Sequence, residues 1–234
     1  MHSISWFALL WCAVPLVLML AIYYFWLGCI SEVLIASTRM IVQLLLIGYI
    51  LLFLFDQVSL LVTLGVMLIM LVASAWIALR PLPEKISILP SAMLAIGLSV
   101  LVHLLISLLL VIKLEPWYSP RIAIPLAGMY FSTAMNTVSL VAERFHVEYP
   151  KNDLPNARKQ AFNSAMIPQI NGLLAVGLVA LPGMMTGQIL SGVSPLVAVR
   201  YQIMIMSMVF GCGGIAAAIF LWRYGVLMGK NNPR

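Results

Sequence analysis

Four of the 15 methionines in this 234-residue chain could line a path for a metal ion. They are Met129 and Met135 in IAIPLAGMYFSTAMNTVSLVAERF, and Met184 and Met185 in LPGMMTGQIL. A thioether is a soft, uncharged ligand suited to Cu(I), whereas Fe(II) prefers imidazole or carboxylate, so a Met-lined path passes a metal without holding it tightly. Met129 and Met135 are six residues apart and fall on different faces of a helix, so by themselves they make no metal site. Asn136 beside them is an amide in an apolar run, which must face protein or water instead of lipid; an interhelical hydrogen bond and a pathway role both remain open. Gln169 and Asn171 add two more amides upstream of the second methionine pair.

Arg39 and Gln43 stand four residues apart and share a helical face, which allows either a headgroup anchor or an internal polar pair. His103 in VLVHLLISLLL is open to a proton relay or to a satisfied interhelical hydrogen bond. Gly183 and Gly187 have the four-residue spacing that lets helices approach closely, and Gly211, Gly213 and Gly214 in FGCGGIAAA offer a second smooth face. No GxxxxGK followed by Ser or Thr, no GxGxxG after a strand and no HExxH occurs. ATP, if used, must bind another subunit, and no catalytic residue or bound cofactor is expected of this chain.

The elements that position these residues follow from composition. The chain is 63% hydrophobic and 9% charged, far from the roughly 25% charged residues of a soluble domain. Its mean hydropathy is +1.08. These values predict an all-α, polytopic membrane protein, one transmembrane domain over 1–234. The net charge of +6 comes from basic residues at span ends, so nucleic acid is not the expected partner; the lipid bilayer is. Cys12, Cys29 and Cys212 form no CxxC or paired framework.

Charge-free runs predict seven spans, near 5–29, 39–55, 57–79, 86–112, 122–141, 173–192 and 201–222. The second is short if Arg39 bounds it. The organising stretch is 160–199, free of charge but interrupted by Pro168, Pro182 and Pro195, and it reads as an approach segment followed by one span broken at LPGMMTG. An N-outside, C-inside orientation puts ten of the 13 basic residues on the inner side; crossing twice in the central stretch would leave eight. ERFHVEYPKNDLPNARK then reads as an inner loop, with an N-cap signal at Asn152-Asp153 and a choice between a solvated loop and a docking element.

Four stretches carry a family resemblance: RMIVQLLLIGYIL, IPLAGMYFSTAMNTVSL, MIPQINGLLAVGLVALPGMMTGQILSGVSP and AVRYQIMIMSMVF. With LPGMMTGQIL followed by Tyr201 to Ile203, the chain resembles the FetB-like permeases, membrane subunits of Fet-type ABC transporters linked to iron export. The resemblance implies a homodimer in the inner (plasma) membrane, bound to a cytoplasmic ABC ATPase that carries the ATP. It also implies a translocation path near Met129, Met135, Asn136, Met184 and Met185. The family's longer amphipathic coupling stretch between its fifth and sixth spans is shortened here to 143–167, leaving Pro155, Arg158 and Lys159 as candidate docking residues. The function expected is export of a metal ion, iron by resemblance, although the methionines lean toward softer ions. A membrane scaffold that has lost coupling is the alternative; an ion-coupled carrier is disfavoured because no acidic residue lies mid-span.

Overall fold

A run of apolar residues in a bilayer must satisfy its own backbone groups, and helices do so within the segment. The structure, a computed structural model, describes residues 5–56 and 59–231, and among them it forms helices and no strand. His2, Gln57 and Arg234, used in the reading of histidines, third span and orientation, lie outside the described residues.

The elements in chain order are α1 (Trp6–Leu9), a 3-10 turn (Leu10–Cys12), α2 (Ala13–Leu27), α3 (Ser31–Asp56), α4 (Leu60–Ala78) and α5 (Lys85–Leu105). After α5 the helix widens into a π segment (Ile106–Val111), and α6 (Pro120–Glu148), α7 (Leu154–Ala175), α8 (Gly183–Leu190) and α9 (Pro195–Asn231) follow. Five helices among the described residues are long and apolar enough to cross a membrane: Phe7–Leu27, Ser31–Leu51, Leu60–Ala78, Lys85–Val111 and Pro195–Met228.

The chain divides into two compact units, residues 1–57 and 58–234. In the first, Gly28 closes α2 in the left-handed region at φ 73°, a conformation that costs glycine little, and its N–H reaches the Tyr24 carbonyl at 2.9 Å. Because α3 starts at Ser31, the second span is 26 residues long and Arg39 lies two turns inside it instead of bounding it. No residue of α2 is buried.

In the second unit α6 is the axis, packed against α4, α5, α7 and α9. Its inward face is built of Ala123, Ala127, Tyr130, Ala134, Val138 and Phe145, and the alanines let neighbouring backbones approach closely. Aromatic rings close the end near Glu148: Phe145 stacks on Tyr149 at 5.3 Å and meets Tyr224 at 5.4 Å. The N-terminus of α4 is tied to the segment before α6, since the buried Thr63 hydroxyl is 3.0 Å from both the Ser59 and the Tyr118 carbonyls.

Two expectations change. The segment 143–167 is mostly helix: α6 runs through Glu148, and only 149–153 separates it from α7. The Asn152-Asp153 signal does start α7, where the Asp153 carboxylate accepts from Asn156 N–H at 3.2 Å and Pro155 occupies the first turn. The sixth apolar run is not one helix either. Residues 173–175 end α7, 176–182 form a turn with Gly177 at φ 85°, and 183–190 make the eight-residue α8. The break thus precedes the LPGMMTG glycines, and the run begins inside the 22-residue α7, which starts well upstream at Leu154 and carries Arg158 and Lys159 in its first turns.

Candidate functional site

Where α7 breaks, its end, the 176–182 turn, α8 and α9 enclose a crevice of about 280 Å³. The walls are apolar, from Leu173, Val176, Leu181 and Ile203 among others, and the heteroatoms are the thioethers of Met185 and Met206, the Ser207 hydroxyl and the Gln202 amide. Ser207 donates to the Ile203 carbonyl at 2.9 Å. Gln202 is 5% exposed, and its Oε1 has no hydrogen-bond partner among the described residues. A buried acceptor left unpaired is costly, which makes this amide the polar feature of the crevice whose hydrogen bonding is incomplete.

The predicted path residues are not assembled in one place. Met185 lines this crevice, whereas Met184 is 40% exposed. Met129 and Met135 pack, half-buried, against the core of α6, and Asn136 is exposed. Gln202 escaped notice in the sequence, although a lone amide in the apolar run 201–222 was its signal.

A polar seam runs through the core beside α6. The Ser99 hydroxyl donates to the Cys212 carbonyl at 2.8 Å, joining α5 to α9. His103 Nδ1 is 2.8 Å from the Ser99 carbonyl of its own helix, so its bond is intrahelical. The Ser107 and Tyr130 hydroxyls lie 2.6 Å apart, joining the π segment to α6. On the other side Gln169 of α7 donates to the Thr137 hydroxyl at 3.0 Å, and Thr137 donates to the Thr133 carbonyl at 2.8 Å.

The two glycine faces differ. A Cβ on Gly213 would stand 2.9 Å from Thr137 Oγ1, and one on Gly214 would stand 3.6 Å from Met166 Cε, so FGCGGIAAA packs against helices of its own chain. At Gly183 and Gly187 nothing lies within 4 Å. Arg158 is engaged internally, its Nη2 donating to the Trp222 carbonyl at 3.2 Å, and Lys159 is exposed beside it. Arg39 and Gln43 are both exposed, one turn apart on α3. Among the described residues no group of three His, Cys, Asp or Glu could hold a metal.

Helices of this length and apolarity, with an amide-bearing crevice at a break, define an all-α multi-pass membrane protein. The chain belongs to the Uncharacterised protein family (UPF0014), whose model matches residues 6–155 and 149–226, two pieces that meet at the turn between α6 and α7. It is 34% identical to a UPF0014 membrane protein of Synechocystis over 196 residues, 76% of each chain. It is 31% identical to a UPF0014 membrane protein of Oryza sativa subsp. japonica, over 82% of this chain and 72% of that one. It is 28% identical to the "probable iron export permease protein FetB" of Escherichia coli, over 81% of this chain and 78% of that one. No solved structure matches.

Proposed function

We propose that this chain is the permease subunit of an ABC transporter that exports a metal ion, iron in the first instance, powered by a separate cytoplasmic ATPase. The observation that carries this reading is the crevice at the broken membrane segment, lined by Met185, Met206 and Gln202, whose buried amide oxygen has no partner among the described residues. Neutral sulfur and amide oxygen attract a cation without replacing its water permanently, as a passage requires. The printed name of the E. coli relative supports iron as the cargo.

In this reading α6 and α7 cross the membrane with the five most apolar helices, giving seven crossings with the N-terminus outside and the C-terminus inside the plasma membrane. Two copies work as a dimer, and ATP-driven closure of the partner swings them between inward-open and outward-open states. The test is co-expression with a candidate ABC ATPase, purification in detergent, and ATP hydrolysis with and without Fe²⁺. Metal-stimulated hydrolysis by a stable complex is expected. Failure to form a complex with any such ATPase would overturn the reading in favour of an uncoupled membrane scaffold, which the five-residue turn at 149–153 favours because it offers so little to dock.

A further inference from the structure

Arg158 and Lys159 line a groove of about 390 Å³ between α7 and α9, with Phe162, Ala218, Leu221 and Trp222 as its other walls. No carboxylate is among these residues, and Lys159 has no ion-pair partner among the described residues. The Arg158 guanidinium is seated against α9. Its Nη2 donates to the Trp222 carbonyl at 3.2 Å, and a Cβ on Gly225 would stand 2.6 Å from that Nη2 and 2.9 Å from Nε. The buried Nε has no acceptor among the described residues. Two cations thus line one groove, one of them held in place by a glycine, with no anion opposite them.

The depth of the groove follows from α9. That helix is long and apolar enough to cross a membrane, and Gly213 is its middle residue. At about 1.5 Å per residue, Ala218 lies roughly 8 Å and Trp222 roughly 14 Å from that middle. Half the hydrocarbon thickness is about 15 Å. With α9 centred in the bilayer, Trp222 and the guanidinium bonded to its carbonyl therefore sit at the hydrocarbon edge, while Ala218 lies within the acyl layer. Trp222 is 63% exposed, as suits an aromatic side chain at the headgroup boundary.

We propose that this groove seats an anionic phospholipid, its phosphate at Arg158 and Lys159 and an acyl chain along Phe162, Ala218 and Leu221. A phosphodiester brings the negative charge and the acceptor oxygens that the two cations lack, and the aliphatic wall below them matches the chain that hangs from it. Charge complementarity selects this occupant. An apolar helix laid over the groove, such as α2 with no charged residue, would leave both cations without an anion, and a zwitterionic lipid would set a second positive charge beside them. The inference needs only that α9 crosses the membrane, so it stands apart from the transport reading.

The test is quenching of Trp222 fluorescence by brominated lipids in nanodiscs of the full-length chain, without any ATPase or metal. The Trp222 signal is the difference between the parent and Trp222→Phe, and thermal unfolding checks that each variant is folded. Brominated phosphatidylglycerol is expected to quench that signal to half at about a fifth of the mole fraction that brominated phosphatidylcholine needs. In Lys159→Gln, whose parent side chain is exposed and bonded to nothing described, the two lipids should quench alike. Equal quenching in the parent, or an unchanged preference in Lys159→Gln, would overturn the proposal. So would a signal that neither lipid quenches, since protein would then cover the groove. Loss of the preference on adding millimolar glycerol phosphate would also overturn it, because the groove would then be a site for a water-soluble phosphate.

Discussion

His103 and Gly211 are in contact across the α5–α9 interface so closely that a Cβ on the glycine would stand 2.8 Å from the imidazole Nε2. With Nδ1 held by the Ser99 carbonyl at 2.8 Å, the ring has no room to step back. Gly211→Ala is therefore expected to destabilise the chain by about 1–3 kcal/mol, the usual cost of overpacking. Gly187→Ala, with open space around it, is expected to stay within about 1 kcal/mol of the parent, helped by the better helix propensity of alanine. Thermal unfolding of the two variants in detergent separates them; equal losses would refute the contact.

Gln202 holds a buried oxygen with no partner, so Gln202→Met should raise the melting temperature by about 2 °C or more while removing the polar feature of the crevice. If the crevice passes metal, that variant and the Met185→Leu, Met206→Leu pair keep their fold and export less. Efflux of loaded Fe²⁺ from cells is the measurement, and undiminished efflux from all of them would move the path elsewhere.

Arg158 and Lys159 are adjacent but unequal. Arg158→Glu loses the bond to the Trp222 carbonyl and sets a carboxylate against that oxygen, at a cost of about 1–3 kcal/mol to the fold. Lys159 is exposed, so Lys159→Glu should leave stability within about 0.5 kcal/mol. If this end docks an ATPase, co-purification with the partner falls for Lys159→Glu alone; retention at the parent level would remove Lys159 from the docking surface.

Cys29 lies between α2 and α3, where the Ser31 hydroxyl 3.0 Å away, joined by the Ser31 N–H, holds the thiol below its ordinary range. A lowered pKa means more thiolate at a given pH and faster alkylation. In a Cys12→Ser background, the iodoacetamide rate at Cys29 should reach half its maximum at a lower pH than in the same chain with Ser31→Ala. Coincident pH profiles would dismiss the hydrogen bond.

Apolar runs were the most legible signal, because a helix that faces lipid has little else to specify it: 60–78 and 85–111 match the expected spans within three residues, while the last helix, 195–228, extends six residues beyond the expected 201–222 at each end. The sequence misled where charge and helix coincide. Arg39 was read as an end of α3 and Arg158 as part of a loop, yet each continues a helix, one exposed and the other bonded to a backbone carbonyl. Pattern also could not tell which glycines are covered, since that depends on which helix arrives opposite; Gly213 meets Thr137, and Gly187 meets nothing in its own chain. The Ser99–Cys212 bond was invisible for the same reason, its two partners lying 113 residues apart.

The π segment at Ile106–Val111 takes one residue more to close its turn, as the Ile112 N–H to Ser107 carbonyl bond shows. It therefore works as a phase shifter between two fixed registers. Within it Ser107 must face Tyr130, and upstream His103 and Ser99 must face α9; downstream, the connection to α6 must deliver the Tyr118 carbonyl to Thr63. A one-residue deletion within the segment would let an ordinary α-turn form but rotate the following residues by about 100°, uncoupling the two ends. The extra residue is thus a spacer in angle at the end of α5, just before the irregular stretch that leads to α6.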